Sequence, residues 1–539
     1  MASTPAATGP DHPRMTRVFF VCFVVALAAI TLRVIPQPRT IDDAFITFRY
    51  ARNLVEGDGF VYNLDERTIG TTTPLYTLLM AGISAVTGSE NFPWFALTIN
   101  AAADAGTAVL LVLLMTALTG SLVPGGALGL LWAVSPMSVT FAVGGMETSV
   151  VIFWSVAAAF AYVRCHERAL AVFAALGVLT RVDTLIWIGP LFAHQFFVHW
   201  RAACADGTLR DWRSWIPWRT WTIFIVLLIP WYAFSVAYFG VILPQSIGAK
   251  EVAYHVEQLS ALTRFLQHIA TPFFENDTFG VPGIVVGIVL YPALALAGLL
   301  FVARRQPRLW PYLLYPWLYI TAFSAANPLI FRWYLAPILP AYFFAIVCGV
   351  WGIAQAVTAT LHHPYVLRAA TALVMALFTA FSLNAWTLHP DHGPTTPAPV
   401  MAWHQIELYY HAMAGFLVER YGVGEDTLLA AGDIGAIGYF THARILDTIG
   451  LVTPAVTTYY PLDPALYQDD DNYIVPPALI QDYQPDYIVF MEMFLHNGLE
   501  QDAAFAADYQ QIAVIPTDFY GTGMLAFRRA DRPVSAGED

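Results

Sequence analysis

A series of long apolar runs constrains the fold of this chain more than any other feature of its sequence. A membrane-spanning helix needs about 20 such residues, and about eleven runs approach that length if short or broken ones are included. The runs begin near Val18, Pro93, Leu122, Ser149, Ala169, Thr184, Trp221, Gly283, Leu309, Tyr334 and Ala369. The chain is 12% charged, against about 25% in soluble domains. These patterns predict an α-helical multi-pass membrane protein.

Positively charged residues indicate how these spans are oriented, because Lys and Arg accumulate in cytoplasmic loops. With eleven spans, the arginine clusters all fall on the inner side. They comprise Arg14, Arg17, Arg164, Arg168, Arg201, Arg210, Arg213, Arg219, Arg304, Arg305, Arg308 and Arg368. We therefore predict a plasma-membrane protein whose loop at Asp42 and whose C-terminal part are extracytoplasmic. A signal peptide is the alternative for the first run, because Ala26-Leu27-Ala28 resembles a cleavage site.

A change of composition near Pro390 predicts two domains. The chain has 21 acidic and 5 basic residues from Pro390 onward, and 18 acidic and 21 basic residues before it. Residues 1–389 are predicted to form a transmembrane catalytic module, with 36–92 as its first outer loop, and residues 390–539 an extracytoplasmic α/β domain. Its predicted elements are a helix at Met401–Tyr421 and strands at Thr427–Ala431, Arg444–Leu446, Tyr487–Phe490 and Ile512–Ile515. The acidic balance argues against a nucleic-acid partner.

The first outer loop begins with two adjacent carboxylates, Asp42 and Asp43, which open a predicted amphipathic helix. Its polar stripe includes Arg49 and Asn53. Such a helix can lie on the membrane with its apolar face down. The carboxylates are then either ordinary solvated charges or an acid/base pair at the lipid–water boundary. The shorter run from Pro74 to Val86 is predicted to form an interfacial or re-entrant helix.

Five further outer-loop residues are candidates for binding or catalysis, each with a structural alternative. Glu147 begins the fourth span, where a carboxylate is also favourable as a helix N-terminal charge. Arg181 and Asp183 interrupt an apolar stretch and are equally consistent with a local ion pair. Lys250, the only lysine, suits a phosphate but is also compatible with an ordinary surface position. Arg332 opens the tenth span, where it either binds a ligand or snorkels.

Other sequence features narrow the function. No GxxxxGK[ST], GxGxxG or HExxH motif is present, so a nucleotide-driven mechanism has no visible motif. Asp104 lies within the second span, where a carboxylate is either functional or hydrogen-bonded to a neighbouring helix. Tyrosines near Asp469-Asp470-Asp471, including Tyr467 and Tyr473, indicate either a sugar-binding surface or a solvated loop.

Outer carboxylates and cations above a lipid surface favour sugar transfer from a polyprenyl phosphate. Cations stabilise the departing phosphate, and a carboxylate takes the proton from the incoming hydroxyl. The rivals are a transporter or flippase of lipid-linked sugars, which would depend on Asp104, and a non-catalytic receptor with an external ligand-binding domain, which would tolerate changes at Asp42.

The motifs of the chain resemble the GT-C superfamily of membrane glycosyltransferases and, within it, the bacterial terminal arabinofuranosyltransferases. The resemblance runs through most of the chain. It rests on Asp42-Asp43-Ala44-Phe45-Ile46-Thr47-Phe48-Arg49-Tyr50-Ala51, Gly59-Phe60-Val61-Tyr62-Asn63, Thr71-Thr72-Thr73-Pro74-Leu75-Tyr76, Gly145-Met146-Glu147-Thr148, Thr180-Arg181-Val182-Asp183, the segment ending in Lys250, Arg332-Trp333-Tyr334, and Gly432-Asp433-Ile434-Gly435-Ala436-Ile437-Gly438-Tyr439.

The resemblance implies an inverting transferase with a decaprenyl- or undecaprenyl-phospho-sugar donor, for which arabinofuranose is the candidate sugar. It also implies a glycan or other hydroxyl acceptor on the outer face, and a base in the first loop. Alignment with the Asp-Glu pair of the superfamily places the base at Asp42, but Asp in the second position leaves Asp43 open. The implied site has catalytic Asp42, Asp43 and Glu147, donor-phosphate ligands Lys250, Arg332 and Arg181, and substrate contacts Arg49, Tyr50 and Asp183. No cofactor is firmly implied, and a divalent metal is compatible with the site.

Overall fold

The computed structural model describes residues 12–273, 279–361, 364–388, 402–463, 466, 473–517 and 523–532. In the described residues before 389, the α-helices are α1 (His12–Val34), α2 (Asp42–Glu56), α3 (Pro74–Thr87), α4 (Phe92–Thr119), α5 (Leu122–Val134), α6 (Pro136–Val143), α7 (Thr148–Val163), α8 (Glu167–Thr180), α9 (Leu185–Asp206), α10 (Trp212–Trp215), α11 (Trp218–Phe239), α12 (Gln245–Ala253), α13 (Ser260–Ala270), α14 (Gly280–Arg305), α15 (Trp310–Ala326), α16 (Leu339–Leu361) and α17 (Pro364–Leu388).

Each of the eleven predicted spans coincides with one of these helices. Among the described residues, 5 helices are long and apolar enough to cross a membrane, or up to 6 if α5 and α6, which meet at a bend of 46°, count as one span. Helices such as α7 and α8 are shorter, with 16 and 14 residues, than the roughly 20 residues that a perpendicular crossing needs. The chain is a membrane protein, and its number of crossings stays a prediction.

Small residues let neighbouring helices of the bundle approach closely. A Cβ on Gly298 of α14 would collide with the carbonyl oxygen of Ala345 in α16, and one on Gly349 of α16 would collide with that of Leu294. The two helices therefore cross at main-chain contact, which is a common way to pack helices in lipid.

An ion pair inside the bundle accounts for the intramembrane carboxylate. Arg33 Nε of α1 lies 2.6 Å from Asp104 Oδ2 of α4, and both side chains are fully buried. Ser149 Oγ donates to the same oxygen at 2.9 Å. Asp104 thus hydrogen-bonds to neighbouring helices, which was the structural alternative to a functional role.

Helix α2 begins at Asp42, as its sequence pattern predicted, and ends at Gly57, whose φ of 100° favours glycine. Its apolar face packs on the bundle, where the Phe48 and Phe92 rings stack at 5.6 Å. Its polar stripe is not solvated, because Arg49 and Asn53 are buried. Arg49 contacts the C-terminal part of the chain, and Asn53 donates to carbonyls of the segment that follows α2.

The C-terminal part is an α/β unit, as predicted. Its elements are α18 (Ala402–Tyr421), β1 (Leu428–Ala431), α19 (Gly435–Thr441), β2 (Arg444–Asp447), α20 (Pro477–Tyr483), β3 (Tyr487–Met491), α21 (Ala503–Asp508), β4 (Tyr509–Pro516) and β5 (Gly523–Arg529). The sheet order is β2-β1-β3-β5-β4. Strand β1 is parallel to β2 and β3, and β5 is antiparallel to β3 and β4. The four predicted strands are confirmed, and β5 was missed because its apolar run is short.

Candidate active site

A cavity lies where the N-terminal end of α2 meets the C-terminal α/β unit. Four charged side chains line it: Asp42 and Asp43 of α2, Lys250 of α12, and Asp433 of the turn between β1 and α19. The rest of its lining consists of Ile41, Ile46, Tyr254, Phe331, Trp333, Trp403, Ile406, Gly432, Ile434, Ile449, Leu451, Tyr473, Met491, Met493 and Phe494. The fold therefore brings together Asp42, Asp43 and Lys250, three residues of the predicted site.

Asp42 holds the α/β unit against the membrane part. Its Oδ2 accepts a 2.8 Å hydrogen bond from the N–H of Gly435, and its Oδ1 accepts one of 2.7 Å from the N–H of Ala436. These N–H groups start α19, so they lack carbonyl partners within that helix and favour a carboxylate. Both oxygens of Asp42 therefore accept hydrogen bonds from the main chain, which hold this carboxylate in place.

Asp43 lines the cavity as Asp42 does, but no hydrogen bond to its carboxylate is present among the described residues. The side chain is half-buried. Burial raises the pKa of the Asp43 carboxyl, and the positive charge of Lys250 acts in the opposite direction. A pKa raised toward neutrality makes a carboxylate a stronger proton acceptor. Asp43 thus has the geometry and basicity that a general base needs.

Lys250 brings a positive charge to the same cavity. It lies near the end of α12, and its Nζ is 4.9 Å from the centroid of the Phe331 ring. In the described part of the chain, it makes no ion pair with a carboxylate. The ammonium is therefore free to contact an anionic ligand that enters the cavity.

Asp433 adds a carboxyl group from the α/β unit. Tyr410 of α18 donates a 3.0 Å hydrogen bond to Asp433 Oδ2. Burial and the nearby charge of Asp43 raise the pKa of Asp433 to about 7. Burial and the charge of Asp433 raise the pKa of Asp42 as well, while its two main-chain N–H bonds lower it. Because of these two bonds, we assign the negative charge to Asp42 and the proton to Asp433. Sequence reasoning gave Asp433 no role, although its place after a parallel strand was a usable signal.

Arg49 and Tyr50, which were expected to contact substrate, do not reach the cavity. Arg49 Nη1 donates to the carbonyl of Gly438 at 2.8 Å, and its Nη2 donates to that of Ala443 at 2.7 Å. The Tyr50 hydroxyl donates to the carbonyl of Thr68 at 2.6 Å. Both side chains are buried. They fix the α/β unit and the first outer loop, which corrects the expectation of substrate contact.

Glu147, Arg181 and Asp183 form a separate buried cluster. Arg181 Nη1 lies 3.2 Å from Glu147 Oε1, and its Nη2 lies 2.6 Å from Asp183 Oδ2. The Tyr319 hydroxyl also donates to Asp183 Oδ2 at 3.2 Å, and the guanidinium lies 5.0 Å from the centroid of the Tyr334 ring. The structure thus places these three residues in an ion-paired turn outside the cavity, in which two carboxylates pair with one arginine. Their predicted catalytic, phosphate-binding and substrate-binding roles stay predictions.

Arg332 lies beside the cavity but does not line it. Its flanking residues Phe331 and Trp333 line the wall, whereas its Nη2 is 3.8 Å from Met137 Sδ. Burial and the charge of Arg332 lower the pKa of Arg264 and that of His268, the latter to about 4, so the His268 imidazole is neutral near pH 7. We call the two arginines the cationic cluster (Arg264 and Arg332). The anion-binding role expected of Arg332 stays a prediction, at a position outside the cavity.

Two remaining predictions concern metals and tyrosines. Within the described ranges, no group of three or more His, Cys, Asp or Glu side chains is placed to hold a metal ion. Of the tyrosine-rich surface, Tyr473 lines the cavity, while Tyr467 and Asp469-Asp470-Asp471 lie outside the described residues.

Solved structures decide the fold. ArnT from Cupriavidus metallidurans in the apo state matches with a TM-score of 0.56 and 13% sequence identity, over 95% of this chain and 98% of that chain. The same protein bound to undecaprenyl phosphate matches with a TM-score of 0.54 and 13% identity, over 96% and 98%. This chain has the GT-C fold. The predicted fold class is therefore confirmed.

The other comparisons are weaker or cover only part of one of the two chains. The arabinofuranosyltransferase AftD from Mycobacteria matches with a TM-score of 0.42 and 15% identity, over 95% of this chain and 41% of that chain. Residues 399–535 match the model of a domain of unknown function, DUF8728. No curated protein matches the sequence of this GT-C chain.

Proposed function

We propose that this chain is an inverting glycosyltransferase that moves a sugar from a polyprenyl-phosphate donor to an acceptor hydroxyl. The observation that carries the proposal is the juxtaposition of Asp43 and Lys250 in one cavity of a GT-C fold. The structure of ArnT with undecaprenyl phosphate supports a donor of this lipid class. The cavity supplies a base and a cation, which are the two groups that the transfer needs.

In the proposed reaction, Asp43 is the general base. The acceptor oxygen attacks the anomeric carbon of the donor, a new carbon–oxygen bond forms, and the hydroxyl proton passes to the Asp43 carboxylate. The bond between the anomeric carbon and the phosphate oxygen breaks, and its electron pair leaves with the polyprenyl phosphate. A single displacement inverts the anomeric carbon. Asp42 positions the site through α19 and takes no part in the proton transfer.

Lys250 is the proposed partner of the leaving phosphate. Its ammonium stabilises the negative charge that develops as the bond to phosphate breaks. Arg332 of the cationic cluster lies between Phe331 and Trp333, which line the cavity wall. At this position the positive charge of the cluster favours the approach of an anionic headgroup. In this scheme Lys250 acts on the reacting phosphate, and Arg332 contributes to donor binding from outside the cavity.

The finer assignments follow from the sequence motifs and the orientation of the spans. We propose that the active site and the α/β domain of residues 390–539 face the extracytoplasmic side of the plasma membrane, where the acceptor is a cell-envelope glycan or another hydroxyl compound. The motif resemblance to terminal arabinofuranosyltransferases makes arabinofuranose the first sugar to test.

A donor panel tests the proposal directly. The purified chain in lipid nanodiscs is incubated with polyprenyl-phospho-sugars that differ only in the sugar, together with a mixed glycan acceptor, and released polyprenyl phosphate is measured. We expect sugar transfer from at least one donor, with inverted anomeric configuration in the product. Absence of both transfer and donor hydrolysis across the panel would exclude the proposed activity. A chain with Asp43→Asn and Lys250→Ala combined provides the inactive control.

A further inference from the structure

The α/β unit contributes part of the wall that surrounds the reacting groups. Asp433 and Trp403 both belong to this unit, and they line the same cavity as Asp43 and Lys250. The membrane part supplies the proposed base and the phosphate-binding cation. A substrate between the two walls would touch both domains, so the α/β unit has the position of a second substrate subsite.

The position of Asp433 is fixed from two sides. Tyr410 holds its Oδ2 through a 3.0 Å hydrogen bond, and α19, which follows directly, is held by the hydrogen bonds to Asp42. A Cβ on Gly432, the preceding residue, would collide with the Phe494 ring, so the turn is closely packed. With Oδ2 engaged by Tyr410, Oδ1 is available to a ligand hydroxyl. This is the preorganised polar group of a binding site.

Aromatic rings line the same cavity as this carboxyl group. The Trp403 and Trp333 rings lie 5.6 Å apart at an interplanar angle of 67°, and the Tyr473 ring lies 5.5 Å from that of Phe494. Flat aromatic surfaces pack against the C–H faces of a sugar ring, while a carboxyl group binds its hydroxyls. The combination fits a carbohydrate better than a purely apolar ligand.

The charges in the cavity restrict which carbohydrate fits. Three carboxyl groups, from Asp42, Asp43 and Asp433, line it with one cation, Lys250, which the proposed function assigns to the donor phosphate. Among the described residues, no second cation lines the cavity, and the cationic cluster lies outside it. An anionic acceptor would therefore meet the carboxylates of Asp42 and Asp43 without a cation inside the cavity to offset them. The site therefore favours an uncharged sugar.

From these contacts we infer that Asp433 and Trp403 form the acceptor subsite, and that the acceptor is an uncharged sugar whose hydroxyl is held by Asp433 beside Asp43. The assignment of this subsite to the acceptor rests on the proposed function, whereas the binding of a sugar at this subsite does not. The α/β unit then provides acceptor recognition, and the membrane part provides donor binding and chemistry.

A direct binding measurement tests the subsite without any donor. The full chain in nanodiscs is titrated with neutral methyl pentosides and hexosides and with methyl glucuronide, the anionic counterpart of methyl glucoside, by saturation-transfer NMR. We expect at least one neutral glycoside to bind and the glucuronide to bind at least about tenfold more weakly than methyl glucoside. Asp433→Asn, which is nearly isosteric, should weaken the neutral glycoside about tenfold, and Trp403→Leu should weaken it too. Asp508→Asn and Trp212→Leu, at exposed positions, are the matched controls.

The outcomes separate this inference from the proposed activity. Unchanged glycoside binding in both Asp433→Asn and Trp403→Leu, or no neutral-glycoside binding by the wild-type chain, would overturn the subsite. Selective loss of binding in the two variants supports it, even if the donor panel shows no turnover. Where turnover is present, Asp433→Asn should raise the acceptor KM about tenfold and leave the donor KM unchanged. A donor KM that rises equally would contradict an acceptor role.

Discussion

The carboxylate of Asp42 accepts a 2.8 Å hydrogen bond from the main-chain N–H of Gly435, and this contact joins the first outer loop to the α/β unit. A Cβ at position 435 would collide with the main-chain carbonyl of Asp42, so the approach requires glycine. The same carboxylate accepts from Ala436. Asp42 thus connects the first outer loop to the α/β unit. Asp43, the other member of the acidic pair, is the residue that we propose as the general base.

Asp42→Asn should loosen the junction between the domains. The amide has one acceptor oxygen where the carboxylate has two, and it turns an NH₂ group toward a helix N-terminus that donates hydrogen bonds. We expect a loss of about 1–3 kcal/mol in the stability of the junction, seen as an earlier thermal transition and faster amide exchange in α19. Asp58→Asn, exposed in the same outer loop, is the control. Unaltered melting and exchange in Asp42→Asn would show that the contact is not stabilising.

The pH dependence of stability should report the carboxyl group of Asp433. Its pKa in the folded chain is about 7, above the ordinary 3.8, so folding favours the protonated form. That contribution is complete below the ordinary pKa and is lost as pH rises toward the folded pKa. Asp433→Asn cannot ionise, so its Tm relative to wild type should rise between pH of about 4 and about 7.

Differential scanning calorimetry at several pH values measures this difference. Asp42, Asp43, Tyr410 and Lys250 face or influence the same region and are retained in both chains. The difference therefore reports Asp433 together with its coupling to Asp42, Asp43 and Tyr410. A constant difference in Tm across the range would contradict a raised pKa at this position.

Lys250→Ala should weaken donor binding through the phosphate. We expect the Kd of a polyprenyl phosphate to rise by about tenfold or more, because a charge-assisted contact is lost, and the Kd of the matching polyprenol to change little. Arg332→Ala should have a smaller effect of the same kind, because Arg332 lies in the cationic cluster outside the cavity. Arg304→Ala, at an exposed helix end, is the control. If phosphate and alcohol lose affinity equally, Lys250 acts through packing.

Disruption of the Arg33–Asp104 pair should affect stability and leave transfer chemistry intact. Both groups are fully buried at a separation of 2.6 Å, so Arg33→Met alone leaves an unpaired charge and should cost about 3–5 kcal/mol. The double variant Arg33→Met/Asp104→Leu should recover much of the loss. Thermal unfolding and donor KM are the measurements. A variant that folds normally but loses lipid-linked substrate movement would favour the transporter alternative, for which Asp104 was the candidate.

The sequence predicted the helices and strands of this fold better than the tertiary contacts that their side chains make. Helix α2 begins at Asp42 as its pattern indicates, because 3.6-residue periodicity is local. The contacts of its polar stripe are not local in sequence, because Arg49 donates to the carbonyls of residues 438 and 443. Periodicity distinguishes a polar face from an apolar one, but it does not distinguish a face in water from one that meets main-chain groups of a distant domain.

The site shows the same limit. Asp42, Asp43 and Lys250 converge because they lie in outer loops near one end of the bundle. Arg181 and Glu147 also lie in connecting segments, but they pair with each other at 3.2 Å. Residue types reveal which charges are present, whereas only the fold reveals which of them neutralise one another. Among the described residues, Asp42, Asp43 and Lys250, which line the cavity, form no such ion pair within the membrane part.

The central claim is that Asp43, and not Asp42, removes the acceptor proton. The most direct measurement is single-turnover transfer from a polyprenyl-phospho-sugar by Asp43→Asn in nanodiscs, alongside donor Kd and Tm. The account predicts a rate reduced by ~10²–10⁴-fold, with donor Kd and Tm close to those of the wild-type chain. Transfer at the full wild-type rate by Asp43→Asn would contradict the account and place the base elsewhere.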